Sequence, residues 1–348
     1  MADRIISGVR DICESLSQIA SADTLNAVLL SPQKSQFCLH EPRSDNALGV
    51  TFDILPDINS LYQPGTKTYD VCILCCHNEG EEAILFKLRK SGIARLYFVW
   101  LWDNHHHHII NLRTSNLADV VFVSHYHEKD YLNQFGVLAG AHIPACSRQW
   151  SPDAISQPGS EYMNITRKDA LFGGFGNYSF TPERTAFIKK CQTQIPGNAI
   201  SLVDVDTYFR TPPALRLRSW LEHKVHLLVP VNADLSTRLF EALMTGQIPL
   251  IPDNVTDLNR VIPPELQAAL PVLRYQPYSI RSVHDTWREA LARFSAEGMD
   301  GIQRRHVYAR DYHSLTSRLS AFAHFIRHHK QFDIKTEGER LIMWSHWA

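Results

Sequence analysis

Apolar residues fall along this chain in two rhythms, short unbroken runs and helix-spaced stripes, and their order predicts an α/β protein. Ile5 to Ile19 has helical spacing, and Leu25 to Leu30 and Gly49 to Ile54 read as strands. Asp70 to Cys76 is an almost unbroken apolar run, the pattern of a strand buried on both faces. His77-Asn78-Glu79-Gly80 then makes a turn into a helix from Glu81 to Lys90, followed by a strand from Arg95 to Trp102. A helix from Ile109 to Leu117, a strand from Asp119 to Ser124 and a helix from Glu128 to Phe135 complete the first series. From about Val137 to Lys168 the periodicity lapses and Pro144, Pro152, Pro158 and Gly159 collect, which predicts a crossing between lobes. A second series follows: strand Ala170 to Phe175, helix Thr181 to Gln194 opened by Pro182, strand Ala199 to Val205 and a helix near Pro213 to His223. Strands at His226 to Val231 and Ile248 to Ile251 flank a short helix, and helices from Ser279 to Ala296 and Gly301 to His329 end the series. The repeated β-α-β alternation predicts parallel, doubly wound sheets.

The most informative stretch is the one around the short helix, HLLVPVNADLSTRLFEALMTGQIPLIPD. Leu239, Phe240, Leu243 and Met244 share one helical face, and Arg238, Glu241 and Thr245 share another. The apolar face is expected on the sheet. The polar face is expected over the carboxyl ends of the strands, where open α/β sheets hold ligands. Gly246 suits the end of the helix and Pro249 the start of the next strand.

The sequence R-x-x-E-A from Arg238 to Ala242, followed by G-x-I-P-L-I-P from Gly246 to Pro252, resembles the donor-binding element of GT-B glycosyltransferases. That resemblance implies two Rossmann-like doubly wound lobes facing across a cleft, with a nucleotide-sugar donor held by the second. It also implies that the helix-borne Glu241 holds the ribose while the helix start, at Ser236 and Thr237, faces phosphate. Elementary chemistry agrees. A carboxylate has two acceptor oxygens for the two adjacent ribose hydroxyls, and free amides at a helix N-terminus attract anions. Retaining enzymes of the commonest GT-B group carry a second Glu eight residues earlier, and here that position is Ala233, so stereochemistry stays open. The plain alternative is a βαβ unit in which Arg238 and Glu241 form a surface i,i+3 pair.

Length and composition narrow the class. With 348 residues, 44% of them hydrophobic, the chain has material for two domains of roughly 150 residues. The expected division is an acceptor lobe over 1–145, a donor lobe over 146–320 and a final helix and apolar tail over 321–348, packing back onto the first lobe. A net charge of −1 lacks the basic field that nucleic-acid binding needs. Seven cysteines, with Cys72, Cys75 and Cys76 in one apolar strand, fit reduced, buried thiols in a cytoplasmic protein. Cys72-x-x-Cys75 has no second such pair to make a zinc site. No run of about 18 apolar residues and no signal-peptide core is present, so neither a span nor export by that route is expected.

Several clusters stand at predicted strand ends. Asp103-Asn104-His105-His106-His107-His108 follows the strand ending at Trp102, and Asp103, His105 or His106 can supply a base for a sugar hydroxyl. The same run invites a metal reading, or a bland one as a helix cap with solvated histidines. His125 is a second acceptor-side candidate, and Glu79 reads first as a first-turn acid. Gly173-Gly174-Phe175-Gly176-Asn177-Tyr178 reads as a glycine-rich turn whose amides, at Gly174, Gly176 and Asn177, can meet phosphate, with Tyr178 or Phe175 stacking on a base. Arg184 can neutralise phosphate or pair on the surface. Asn232 and Asp234 stand in the loop before the Glu241 helix. Asp234 reads as a hydroxyl ligand or cap ahead of a nucleophile. Asp204-Val205-Asp206 has the letters of a metal motif but no cofactor or metal ion is expected. The tail Leu341 to Trp347 can pack on the first lobe or rest at a membrane face, the former preferred.

The expectation is therefore a cytoplasmic glycosyltransferase, possible at the inner membrane face, moving a sugar from a nucleotide-sugar to a glycan or lipid-linked acceptor. Its rivals are a non-catalytic nucleotide- or glycan-binding module and a metal-dependent hydrolase built on His105 to His108.

Overall fold

In the computed structural model the chain divides into two compact units, one of residues 1–145 with 315–348 and one of residues 146–314. The structure describes residues 9–31, 43–45, 48–55, 59, 61, 67–76, 80–102, 108–126, 128, 132, 139–147, 149–150, 152, 155, 165–255, 257–331, 333–337 and 340–344.

The first unit opens with α1 (Val9–Ala20), β1 (Leu25–Leu30), β2 (Arg43–Asp45), β3 (Val50–Leu55) and β4 (Tyr69–Cys76). It continues with α2 (Glu81–Ser91), β5 (Ala94–Leu101), α3 (His108–Asn116), β6 (Val120–Val123) and β7 (Ala139–His142). The strands form one sheet in the order β2-β3-β1-β4-β5-β6-β7, parallel except for the β2–β3 pair. The unbroken apolar runs of β4 and β5 are central, and both are buried on both faces, as a sheet covered by helices requires. Cys72, Cys75 and Cys76 are buried free thiols within β4, and burial pushes the Cys72 thiol up, which makes it inert. The helix expected from Glu128 to Phe135 lies mostly outside the described residues.

The second unit runs β8 (Lys168–Asn177), α4 (Pro182–Gln194), β9 (Ala199–Asp204), α5 (Val205–Arg210), α6 (Pro213–Leu221), β10 (His223–Leu227) and α7 (Thr237–Met244). It ends with β11 (Ile248–Pro252), α8 (Leu258–Val261), α9 (Pro264–Ala269), β12 (Leu273–Tyr275) and α10 (Ile280–His313). Its sheet is parallel throughout, in the order β12-β11-β10-β8-β9. From β8 the chain steps outward to β9 and then returns to the other side of β8 as β10. The carboxyl ends of β8 and β10 therefore flank the point where strand order reverses, the general ligand position in such sheets.

Two local expectations are corrected. The glycine-rich stretch is not a turn: Gly173, Gly174 and Gly176 are ladder residues of β8, paired with β9 from Phe172 opposite Ala199 to Asn177 opposite Asp204. At Gly173 a neighbouring ring occupies the missing side-chain volume. A Cβ on Gly173 would lie 2.7 Å from the Phe175 ring, and one on Gly174 would touch the Tyr208 ring at 3.6 Å. The last helices also divide differently. Helix α10 runs on to His313 past a break at Gly298 (φ 56°, ψ −141°), which falls in the expected gap between Ala296 and Gly301, and α11 (Leu315–His328) starts after Ser314, where no break is expected. Apolar spacing carries across Ser314, so only backbone conformation marks it. The apolar tail is a strand in part: β13 (Asp333–Glu337) and β14 (Arg340–Trp344) pair antiparallel. Among the described residues no helix is long and apolar enough to cross a membrane.

Helix α11 belongs to the first unit. Phe322 and Phe325 meet the sheet edge-on, Phe322 against Trp100 at 5.3 Å and Phe122 at 4.9 Å, and Phe325 against Phe122 at 4.9 Å and Phe98 at 5.9 Å. Such ring pairs add to the area buried by each side chain. One turn on, the Arg327 guanidinium donates to the carbonyls of Leu48, Ala20, Ala22, Asp23 and Gly49, which fixes the helix end against the loops flanking β1 and β3.

Candidate functional site

Helix α7 organises the site, and its ends are fixed from the sequence. Ser236 is the N-cap, its hydroxyl accepting from the amide of Arg238 at 3.4 Å. At the other end Gly246 takes φ 76°; its amide donates to Leu243 and that of Gln247 to Ala242, the paired bonds of a Schellman motif. The last carbonyls are also met by side chains. His306 Nδ1 lies 2.6 Å from Met244 O, Arg167 donates to Thr245 O at 2.8 Å and Arg305 to Gly246 O at 3.0 Å. Every residue from Leu239 to Leu250 is buried.

That burial extends to the polar side of the helix. Glu241 is fully buried and its Oε2 accepts from the side-chain amide of Gln149. Thr245 is buried as well, its hydroxyl turned back to the carbonyl of Glu241 at 2.9 Å. Arg238 and Glu241 do not pair. The Arg238 guanidinium lies instead over two rings, 4.8 Å from the centre of Tyr208 and 5.6 Å from that of Phe175. Its buried Nη1 has no hydrogen-bond partner.

Arg184, on the first turn of α4, is neither a surface partner nor a free phosphate ligand. It is buried, donating from Nε to Val229 O at 2.6 Å and from Nη1 to Gly176 O at 3.1 Å. Those two carbonyls stand just past β10 and near the end of β8, so one guanidinium ties the two sides of the reversal point together. Its charge lies 5.4 Å from the Phe175 ring and 5.5 Å from Tyr178. Burial, and then the neighbouring charge of Arg238, push it down to about 10, which leaves it charged at neutral pH. A third arginine, Arg216 of α6, lies 5.3 Å from the other ring in this group, Tyr208, and donates to Tyr208 O at 3.0 Å. Arg184, Phe175, Arg238, Tyr208 and Arg216 thus alternate cation and ring. Among the described residues no carboxylate makes an ion pair with any of the three arginines.

The loop between β10 and α7 shapes the remaining edge. Asn232 and Ala233 both adopt left-handed conformations, φ 49° and 62°. The Asp234 amide donates to Val231 O at 2.9 Å and its carbonyl accepts from the Ser236 amide at 3.1 Å, so the loop is a chain of tight turns. Consecutive non-glycine residues at positive φ are uncommon and cluster where a backbone must be held for a purpose. Asn177 is exposed, its Oδ1 accepting from Thr185 at 3.0 Å, and Tyr178 leans on the exposed ring of Phe180.

Asp103, His105, His106 and His107 lie outside the described residues, as do His77, Asn78, Glu79 and His127. His125 is buried. Asp204 caps α5 at the end of β9, and the side chain of Asp206 is not described. Among the described residues no group of three His, Cys, Asp or Glu side chains could hold a metal ion.

The structure thus gathers Arg184, Tyr178, Arg238, Ser236 and the Asn232–Asp234 loop around the reversal point, with Glu241 closed beneath. Sequence reasoning missed Gln149, Tyr208 and Arg216. Arg216 stands four residues before the buried Trp220, a cation on an apolar stripe, which is a legible signal. Gln149 falls where periodicity has lapsed, and nothing in the sequence marks it.

No protein-family model matches the sequence, and no curated protein is similar to it. Solved structures are. Sucrose-phosphate synthase from Thermosynechococcus elongatus superimposes with a TM-score of 0.50 at 11% identity, over 90% of this chain and 97% of that one. The catalytic domain of starch synthase IV from Arabidopsis thaliana, bound to ADP and acarbose, gives 0.44 at 11% identity over 77% and 74%. A Thermobaculum terrenum O-GlcNAc transferase mutant gives 0.42 at 10% identity over 88% and 68%. The likeness to the first is one of fold, and the fold is the two-unit α/β architecture of GT-B glycosyltransferases.

Proposed function

We propose that this chain is a glycosyltransferase that moves a sugar from a nucleotide-sugar donor to a hydroxyl of a glycan or lipid-linked acceptor. The nucleotide is held by the second unit at the carboxyl ends of β8 and β10. The observation that carries the reading is the charge at that point: among the described residues Arg184 and Arg238 stand between aromatic rings with no carboxylate paired to either, and Nη1 of Arg238 is buried with no hydrogen-bond partner. Burying a cation without a counter-charge is costly, and phosphate oxygens offset that cost through charge-assisted bonds. Arg184 then contributes field and fixes the two loops, while Arg238 contacts the diphosphate. The fold supports the same placement, because open parallel sheets bind nucleotides where strand order reverses.

In this reading Glu241 takes the ribose, the start of α7 at Ser236 and Thr237 faces phosphate, and Tyr178 meets the base. Asn232 and Asp234 face the donor sugar. The base that deprotonates the acceptor is assigned by sequence position to Asp103, acting directly or through His105 or His106 after β5. No cofactor is assigned, and catalysis rests on positioning, phosphate neutralisation and proton removal.

A thermal-shift panel of UDP, GDP, ADP and CMP tests the reading, since a ligand of the native state raises its apparent stability by about 2.7 kcal/mol at about a hundred times its Kd. One nucleotide should raise the melting temperature of the wild-type chain and lose that effect in Arg238→Ala. If none of the four moves the transition of a folded protein, the reading is abandoned.

A further inference from the structure

Glu241 is enclosed, and the amide that meets its Oε2 is fixed from elsewhere in the chain. Gln149 is itself buried to 9% exposure. Its neighbour Trp150 is buried and packs edge-on against Trp220 at 5.3 Å, and the Ser147 amide donates to His313 O at 2.9 Å. The segment is thus anchored on both sides of Gln149. A primary amide presents two N–H donors on one rigid group, and a ribose presents two hydroxyl donors on adjacent carbons, so the two offer a carboxylate the same kind of partner.

We propose that Gln149 is an internal stand-in for the ribose, holding Glu241 Oε2 while no nucleotide is bound and yielding it to a ribose hydroxyl when one is. The proposal rests on the assignment of Glu241 to the ribose and adds the residue that regulates it. As a donor to Oε2, Gln149 offsets part of the cost of burying that carboxylate and helps to keep α7 in place between binding events. Its second effect is on affinity. Ribose binding exchanges one hydrogen bond to Glu241 for another instead of adding one, so the ribose contributes less to binding than the number of its contacts implies.

The test is calorimetric titration of the full chain with the nucleoside diphosphate that stabilises it most among UDP, GDP and ADP, and with the 2′,3′-dideoxy form of the same nucleotide. Removing the competitor in Gln149→Ala, or in the similar-sized Gln149→Met, should lower the Kd of the ribonucleotide about three- to tenfold, the worth of one net hydrogen bond. The dideoxy nucleotide should be unaffected, because it has no hydroxyl to claim Oε2. If both variants bind the ribonucleotide no better than wild type, or if the two nucleotides shift together, Gln149 only supports the helix and the proposal is overturned. Gln149→Met keeps most of the side-chain volume, so it answers the question if Gln149→Ala does not fold. Failure of the ribose assignment has a different signature: Glu241→Ala would then bind ribo and dideoxy forms as the wild type does. A wild-type chain that binds none of the three nucleotides overturns both.

Discussion

Gly246 and Ile302 touch across a gap that holds no side chain: a Cβ on Gly246 would lie 2.6 Å from Cγ2 of Ile302 and 3.2 Å from its carbonyl oxygen. The same glycine has φ 76° and ends α7. Gly246→Ala therefore meets two penalties, left-handed strain of about 1 kcal/mol and overpacking of about 1–3 kcal/mol. Urea denaturation should show a loss of about 2–4 kcal/mol. An unchanged midpoint would mean that α7 can end in another way.

Truncating the donor-side residues should separate two kinds of contact. Glu241→Ala should weaken binding of the preferred nucleotide by about 1.5–3 kcal/mol, the range for a hydrogen bond to a charged group. Arg238→Ala should act in the same direction and reduce the salt dependence of binding, because it removes charge. Arg238→Lys restores the charge but not the planar fork, so recovery should be partial. Calorimetric titration at two salt concentrations measures all three.

Histidine protonation should set the acid limit of stability. His226 is buried 4.0 Å from the Trp220 ring and 5.1 Å from that of Phe172. Burial, and then the charge of Arg238, hold its pKa well below the ordinary histidine value. In the unfolded chain it titrates near about 6.5, so below that pH the unfolded state takes up a proton that the folded state refuses. Stability should thus fall as pH drops from about 6.5 toward the folded pKa, by up to about 1.4 kcal/mol per pH unit for this one group. Burial lowers His223 and His306 too, and they add to the slope. Denaturation at pH 7.5, 6.5 and 5.5 should show a shallower decline in His226→Phe, and an equal slope in variant and wild type would remove His226 as a cause.

The acceptor side is tested by Asp103→Asn, which keeps side-chain size and a capping oxygen while removing the charge. A positioned general base contributes roughly 10²–10⁴-fold in rate, so turnover should fall by that order while nucleotide binding stays unchanged. His105→Ala and His106→Ala should then differ sharply from each other, since only one ring can face the acceptor. Near-native turnover in all three variants would move the base elsewhere, with Asp234 next in line.

The fold was legible where burial wrote itself into unbroken apolar runs. β4, β5 and β11 were expected within a residue or two, because a parallel strand covered on both faces tolerates few polar residues. The helix break at Gly298 fell in a gap of the helical spacing, whereas the one at Ser314 was not legible, since the apolar stripe runs through it. For the site, the residue types of α7 pointed to a ligand but not to their orientation. Periodicity placed Glu241 on a polar face, whereas its side chain is buried and meets Gln149 from a distant part of the unit. The glycines of β8 suggested a loop, whereas Gly173 makes room for the ring of Phe175 two places along the same strand, a contact that depends on rotamer and not on residue type alone.

The first unit is built from two separated stretches of chain, and that has a consequence for its biosynthesis. Phe98, Trp100 and Phe122 are covered by Phe322 and Phe325, which a ribosome reaches only after translating the whole second unit. At about 5–20 residues per second, roughly 170 intervening residues take about 10–30 s. During that interval the nascent first unit lacks the two rings that pack on Phe98, Trp100 and Phe122, and the aromatic surface left open is a natural landing place for chaperones. The second unit, contiguous in the message, can finish folding first. The unit whose residues are made earliest is the one completed last.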